Sequence, residues 1–468
     1  MIYAENLNVC DDLHGTVVLD PTERRIMDTR WFQRLRHIRQ LGLAHMVFPG
    51  AEHTRFAHSL GAFHLAIRLS DKFTGAMHEE ERRHLRAAAL LHDIGHFPFS
   101  HTLEKVYEDL AKESPEQWTE APDGGALPPL AAAPTNETQF HEDFGRQIIE
   151  NTDFEGGLTR LLHGCGLNPK RVGAIMVGTD ENVLLNQIIH SDLDVDQLDY
   201  LLRDAEATGS SYGQYDLNYL FECLEVVYLD NKPVLCVSMQ GIHPLEHYVL
   251  SKYFYYTCIL YQKTRCVAEG LLQSIVKRLI AAGRLPSWDV LQAGLADRSY
   301  CDFDDIRVWE TVRSALEAQQ PNDDLGKAIG DLVGRRLPKV KWESHLMSSP
   351  GQTVSEDFAP GPDGSSWNPV VREAVERQCR QKFTVLKQAL HGQESQEALE
   401  AVLTSDSRPI RMLVRPPYRV PKDIPRAEVT DDKGRAIGEI VLLETLRDSV
   451  VAKLAGHTTH ICRVYRPA

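Results

Sequence analysis

The chain has 468 residues, 43% of them hydrophobic and 25% charged, with a formal net charge of −15. That length suits two or three domains or one large helical one, and the composition is that of an ordinary globular enzyme. The acidic balance excludes a nucleic-acid-coating surface, which needs a basic footprint, and admits a polyanionic small substrate only in a locally basic pocket.

Val17-Val18-Leu19 reads as a short strand, and Asp20-Pro21-Thr22-Glu23 as a helix start with an N-cap acid and Pro in the first position. Trp31, Phe32, Leu35, Ile38 and Leu41 recur at helical spacing and predict a helix from Thr29 to Leu41. Further helices are expected from Arg55 to Phe73 and from Glu79 to Leu91. The stretch from Ser114 to Thr138, rich in Pro, Gly and Ala without a period, is expected to be a mobile surface insertion. Helical patterns resume from Phe140 to Arg203, Val226–Leu229 and Val234–Val237 read as a β-hairpin, and Pro244 to Ala282 as one long helical stretch. Beyond about Leu285 the signal weakens. Helices are expected at Asp302–Gln319, Pro369–Leu390 and Glu444–Leu454, a linker at Pro350–Pro369, and strands within Ile410–Val420, Ala427–Ile440 and His460–Tyr465. The expected fold is mainly α: a large helical core over residues 1–285, with the hairpin and the 114–138 insertion, then a mixed α+β region over 286–468. Nine cysteines without a Cys-x-x-Cys pair are read as reduced, mostly buried thiols. With no signal pattern at the start and no apolar run near the roughly 20 residues of a membrane span, the cytoplasm is the expected compartment and no membrane is expected as a partner.

The most informative stretch runs from Leu90 to His101. His92-Asp93 closes an apolar helix, His96 follows one turn on, and Gly95 and Pro98 let the backbone bend. Arg55 and His58 lie three apart on one helix face. Asp196, Asp199, Tyr200, Arg203 and Asp204 share a helical stripe opposite Leu198, Leu201 and Leu202. Taken together, His58, His92, Asp93 and Asp196 supply two imidazoles and two carboxylates. Such a donor set suits one divalent transition metal (Mn, Fe, Zn or Ni) and tolerates Mg in a looser site. The plainer alternative is a capped helix end with chance histidines and a solvated acidic face.

The segments Met27–Arg36, Gln40–Gly42, Val47–Ala51, Arg55–Gly61, His92–His101 and Asp196–Asp204 resemble the HD-domain superfamily of metal-dependent phosphohydrolases. Within it, they are most similar to the deoxynucleoside triphosphate triphosphohydrolase (dNTPase, dGTPase) branch. The second half of the chain matches only loosely, ending in Arg463-Val464-Tyr465-Arg466-Pro467. The resemblance implies hydrolysis of a dNTP at the α-phosphorus to deoxynucleoside and triphosphate. His58, His92, Asp93 and Asp196 would be the metal ligands, with room for Mg on the triphosphate. His96 would protonate the leaving 5′ oxygen, a task suited to a pKa near neutrality. Glu104, where related enzymes often carry Asp, would orient a histidine, and His101 and His141 would line the same pocket in a catalytic or a structural role.

For the substrate, the resemblance implies Gln40 at the sugar edge and Arg55 at the α-phosphate. Tyr200 would lie beneath the deoxyribose, where a 2′-hydroxyl would clash, and Asp204 would accept from the 3′-hydroxyl. Lys252 stands where the family usually has a phosphate-binding arginine, keeping the charge but not the bidentate fork. Lys263 closes Leu260-Tyr261-Gln262-Lys263 where the family more often reads Tyr-x-His-Lys, and Gln197 replaces a lysine of the animal enzyme. Asp28, Gln33 and Arg36 match an activating nucleotide site of the animal enzyme, although Leu7 and Cys10 replace its lysine and asparagine; the same three residues would equally brace helix packing. Relatives of this kind imply a homo-oligomer, a dimer-based tetramer or hexamer, and a purpose in nucleotide-pool control or antiviral defence. Two other readings remain: an HD phosphohydrolase of a signalling nucleotide or monophosphate, and a nucleotide-sensing module with a regulatory HD core.

Overall fold

The computed structural model describes residues 5–113, 140–317, 324–348, 410–411, 426–430, 432–433, 435–441 and 458–466. The expected insertion at 114–138, the linker at 350–369, and the helices expected over 369–390 and 444–454 lie outside the described residues.

The chain opens with an antiparallel hairpin, β1 (Leu7–Asp11) and β2 (Gly15–Leu19), paired from Leu7↔Leu19 to Asp11↔Gly15. Helix α1 (Pro21–Met27) begins at the expected N-cap and closes it with a capping box, Asp20 taking the first-turn N–H groups while Glu23 returns to the Asp20 backbone. The helix expected from Thr29 to Leu41 is shorter. It runs as α2 (Arg30–Gln33), tightens into a 3-10 turn over Arg34–His37, and ends at Ile38, which is extended (φ −120°). Distant partners take the backbone groups that a continuing helix would use: Arg39 N–H donates to Asp305 (3.0 Å), Gln40 N–H to the His53 carbonyl (3.1 Å), and Arg55 N–H to the Ile38 carbonyl (2.9 Å). Leu35, Ile38 and Leu41 are nevertheless all buried, so the apolar period outlasts the helix.

Helices α3 (Arg55–Lys72) and α4 (Glu79–Leu91) follow close to the expected bounds, then α5 (His101–Glu113), α6 (Phe140–Asn151), α7 (Leu158–Gly164), α8 (Pro169–Met176), α9 (Val183–Ile189), α10 (Val195–Thr208) and α11 (Leu217–Glu222). The expected hairpin is β3 (Leu224–Leu229) with β4 (Lys232–Val237); Asp230 and Asn231 both take positive φ, the geometry that suits a two-residue connection. The long helical stretch expected over Pro244–Ala282 is built of two helices. Helix α12 (Ile242–Tyr255) passes into a π-helical turn (Tyr256–Leu260), and α13 (Lys263–Ala281) restarts with Gln262 as its N-cap. Next come α14 (Trp288–Asp297), α15 (Asp305–Glu317) and α16 (Asp324–Val333). The remaining strands are β5 (Lys339–Ser348), β6 (Ile410–Arg411), β7 (Arg426–Thr430), β8 (Ala436–Val441) and β9 (Thr458–Arg466). They form sheets ordered β5-β9-β6 and β4-β3-β7-β8.

Helices α3, α4 and α10 pack together at the centre, with Phe63, Leu65, Leu85, Leu90, Leu198 and Leu201 removed from water, each worth about 1.5–3 kcal/mol. The same core takes in Trp288, Tyr300, Val308, Val312, Ile329 and Leu332, so packing does not divide at residue 285. The described cysteines are all free; Cys223 and Cys301 are buried and Cys10 is exposed. Among the described residues no helix is long and apolar enough to cross a membrane.

Candidate active site

The three central helices bring together the four expected ligands. His58 sits one turn into α3, His92 and Asp93 follow the last turn of α4, and Asp196 lies in the first turn of α10. His58 Nε2 is 3.1 Å from His92 Nε2, 2.8 Å from Asp196 Oδ1 and 3.7 Å from Asp93 Oδ2; His92 Nε2 is 3.5 Å from Asp93 Oδ1. His58 is fully buried, whereas the Asp196 side chain is 38% exposed and opens the site to solvent. Each ring is oriented from behind. His58 Nδ1 donates to Asp199 Oδ2 at 2.7 Å, and His92 Nδ1 to the Ala89 carbonyl at 2.8 Å. With both Nδ1 atoms occupied, the two Nε2 lone pairs face each other, an arrangement that needs a positive charge between them. The donor chemistry therefore fits a divalent metal held by His58, His92 and Asp196 with Asp93 beside them. The local field favours a cation at this point: burial pulls the His58 imidazole down, but its hydrogen bonds to Asp196 and Asp199 outweigh it and raise it to about 10, so that Nε2 holds a proton where a metal would otherwise sit.

Gly61, one turn beyond His58, is required for this arrangement. A Cβ there would fall 1.9 Å from Asp199 Oδ1 and 2.4 Å from an Arg203 nitrogen. Arg203 holds Asp199 through Nε (2.8 Å) and Nη2 (3.0 Å).

A second cluster shares a wall with the first. Asp93 Oδ1 lies 3.2 Å from His96 Nε2, and Asp93 Oδ2 accepts from Arg55 at 2.7 Å. Burial pushes the Asp93 carboxyl up, but Arg55, His92 and His96 outweigh it and hold it well below the usual range. The His96 ring stacks on His141 (centroids 3.6 Å apart, 20° between planes). Glu104, from the first turn of α5, accepts from His101 Nδ1 at 2.6 Å and from both His141 Nδ1 (2.8 Å) and His141 N–H (2.9 Å). These four residues, His96, His101, Glu104 and His141, converge on one cluster. Their electrostatics separate them. His96 is driven well below its ordinary value by burial, reinforced by Arg55 and His141, so it stands neutral. His141 is pulled down by burial but raised overall by Glu104. His101 alone keeps an open side chain, 52% exposed; it is lowered by burial, with Glu104 behind its ring offsetting part of the effect.

The turn between the clusters is held in an uncommon conformation. Phe99 and Ser100 both have positive φ (54° and 56°), a region L-residues seldom occupy. Asp305, at the start of α15, accepts the Phe99 N–H at 2.6 Å, and Ser100 Oγ bridges Arg55 Nε (2.8 Å) to the Arg39 carbonyl (2.7 Å). At Gly95 a Cβ would meet the His141 carbonyl at 2.2 Å, so α6 can approach only a glycine.

The expected substrate residues form a neighbouring wall. The Tyr200 ring is 6.5 Å from that of His58 and 5.5 Å from that of Tyr255. Asp204 accepts from His53 Nε2 at 2.6 Å and from the Tyr255 hydroxyl. Gln40 is buried with its side-chain oxygen unpartnered. Arg55 is engaged with Asp93 and Ser100, and Lys252 with the Gln197 side chain. Lys263 is the exposed first residue of α13. Away from this wall, Gln33 bonds the Met27 carbonyl and accepts from Arg36, whose guanidinium lies over the Phe56 ring; Asp28 caps α1 and is exposed. Sequence reasoning missed His14, His53, Ser100, Tyr255 and Asp305, and gave Asp199 a place in the stripe but no partner.

Comparison with known proteins accords with this geometry. Residues 55–204 match the HD domain family. An HD domain is therefore present over these residues. The chain is similar to the dNTPase-like branch of that superfamily: it is 30% identical over 262 residues to the deoxynucleoside triphosphate triphosphohydrolase SAMHD1 of Bos taurus, covering 50% of this chain and 40% of that one. It is 34% identical over 273 residues to the Bacillus subtilis protein YwfO, covering 57% of this chain and 54% of YwfO. The chain spans about half the length of the curated relatives it matches. The fold is shared with the crystal structure of a phosphohydrolase from Bacteroides thetaiotaomicron, with a TM-score of 0.63, 21% identity, and coverage of 99% of this chain and 100% of that one.

Proposed function

We propose that the chain is a metal-dependent dNTP triphosphohydrolase, converting dNTP and water to deoxynucleoside and inorganic triphosphate. The observation that supports this reading is the shared wall: Asp93 lies beside both the expected ligand set and His96 of the histidine cluster, so that a metal held there would stand against candidate proton-transfer groups. His58, His92, Asp93 and Asp196 would hold one divalent ion (Mn, Fe, Zn or Ni), with Mg on the triphosphate. When bound, such an ion acidifies water and offsets phosphate charge.

The chain's own residues do the rest. Arg55 fixes Asp93 and presents positive charge to the α-phosphate, and Lys252 and Lys263 add charge along the triphosphate. Water adds to the α-phosphorus, the bond from phosphorus to the 5′ oxygen breaks, and that oxygen takes a proton. His101 suits this delivery better than His96, because its ring is open to solvent and Glu104 offsets part of the burial that lowers it, whereas His96 is driven much further down. Tyr200, Gln40 and Asp204 would read the deoxyribose, and SAMHD1 similarity favours that substrate class. A homo-oligomer, activation by a nucleotide at Asp28, Gln33 and Arg36, and service in nucleotide-pool control or antiviral defence complete the proposal. Incubation with each dNTP, NTP, dNMP and signalling nucleotide, with products separated by chromatography, tests it. Triphosphate release from dNTPs is expected; turnover of ribonucleotides or monophosphates alone refutes it, and nucleotide binding without turnover under any metal points to the sensing module instead.

A further inference from the structure

We propose that His14, in the turn of the β1–β2 hairpin, is a positioning residue for the metal site, acting through Asp199 on the His58 ring. The proposal rests on the metal-site reading above. His14 Nε2 lies 2.7 Å from Asp199 Oδ1, while Asp199 Oδ2 lies 2.7 Å from His58 Nδ1, so a single carboxylate is held between two imidazoles. Neither His14 nor Asp199 reaches solvent, with side chains 4% and 0% exposed.

The turn that carries His14 is itself fastened to the same group. Asp11 Oδ1 accepts the N–H groups of Leu13 (3.0 Å) and His14 (2.8 Å), and Asp11 Oδ2 pairs with Arg203 Nη2 at 3.0 Å. Arg203 in turn grips Asp199, closing a ring of Asp11, His14, Asp199 and Arg203. His64 stacks on the outer face of His14, centroids 5.3 Å apart.

The consequence for the site follows from hydrogen-bond chemistry. Asp199 can orient His58 only if its own rotation is stopped, and each of its oxygens has a donor besides Arg203: His14 on one, His58 on the other. With His14 in place, His58 Nδ1 keeps its proton and Nε2 presents its lone pair towards His92 and Asp196. Without it, Asp199 Oδ1 keeps only Arg203 Nη2, one donor of a fully buried carboxylate is lost, and the carboxylate can shift along Arg203 and loosen its hold on His58. Partners behind metal-ligating histidines commonly change metal affinity by about 10–100-fold when removed. The N-terminal hairpin is thus a working part of a site whose ligands begin more than forty residues later in the chain.

The test uses the full chain, stripped of metal and titrated with Co²⁺, followed by cobalt absorption and calorimetry alongside thermal melting. His14→Gln keeps an amide donor near the position of Nε2; His14→Met keeps the bulk and removes the donor. Expected is a loss of Co²⁺ affinity of about 10–100-fold with a changed cobalt band for Met, and affinity within about threefold of wild type for Gln. Wild-type affinity in the folded Met variant, or equal losses in both, overturns the proposal. If the Met variant does not fold, His14→Asn, whose amide falls short of Asp199, takes its place with the same expected loss and the same overturning result. Failure of the wild type to bind Co²⁺ would instead overturn the metal-site reading, whichever nucleotide is hydrolysed.

Discussion

Replacing Glu104 by Gln would separate the proposed acid–base half of the site from the proposed metal half. Glu104 is 6% exposed and accepts from three donors, His101 Nδ1 at 2.6 Å, His141 Nδ1 at 2.8 Å and His141 N–H at 2.9 Å. Glutamine has one carbonyl oxygen. If it stays with the two His141 donors, the amide turns its NH₂ towards His101 Nδ1, and that ring must put its proton on Nε2 and stay neutral. A hydrogen bond to a charged group is worth about 1.5–3 kcal/mol. Because the His101 ring is half open to water, the lower end applies, and the imidazolium, already disfavoured by burial, is weakened further. The protonated donor then becomes scarcer at any given pH, so the alkaline limb of the rate profile moves to lower pH. Loss of general acid catalysis costs about 10²–10⁴-fold in kcat, and the residual ring places Glu104→Gln near the bottom of that range. Initial rates of triphosphate release across the neutral range, with bound metal measured on the same samples, read the effect. Wild-type kcat with an unmoved alkaline limb would refute the assignment of His101 and Glu104 as the proton-delivering pair; loss of metal along with rate would refute the separation of the two clusters.

Gly61→Ala should lower metal affinity about tenfold and stability by about 1–3 kcal/mol, because the new methyl lands on Asp199 and Arg203; chemical denaturation and metal titration check both. Asp305 should make stability fall as pH rises through the acid range. Burial, only partly offset by the Phe99 and Arg39 N–H groups, raises its carboxyl to about 7. The folded state therefore holds a proton that the unfolded chain releases near pH 4, and the stabilisation is present below that value and lost as pH climbs towards about 7. Asp305→Asn should flatten this slope in urea melts taken at several pH values while weakening one of the two backbone hydrogen bonds, about 1 kcal/mol. Removing metal by chelation should abolish turnover and lower the melting temperature, since metal at a hundred times its Kd adds about 2.7 kcal/mol; readdition of Mn²⁺ should restore both, and an unchanged melt with full activity would count against a metal at this site.

The parts of the site that sequence made legible are those whose cause is local. The helix from Glu79 to Leu91 announces itself by three acids in its first turn and an apolar face ending at His92, and both survive in the structure with the same bounds. His58, His92, Asp93 and Asp196 stand out because two imidazoles and two carboxylates in such settings have few other uses. What stayed hidden depends on pairings between distant segments. His14 meets Asp199 across 185 positions and His53 meets Asp204 across 151, and no periodicity or cap signals either contact. The break after Gln33 was masked for a related reason: Leu35, Ile38 and Leu41 face the core whether the backbone is helical or not, so the pattern reports burial while Asp305 and His53 decide the path. Protonation is the least legible property. A histidine four residues past His92 invites the role of proton donor on its ordinary pKa, but burial beside Arg55 holds His96 neutral, while His101, five residues further, remains open with a carboxylate behind it. Sequence therefore identifies which residue types gather at the site, and the three-dimensional surroundings, set by residues as far off as Asp305 and Glu104, assign the charge each one carries and so the step it can perform.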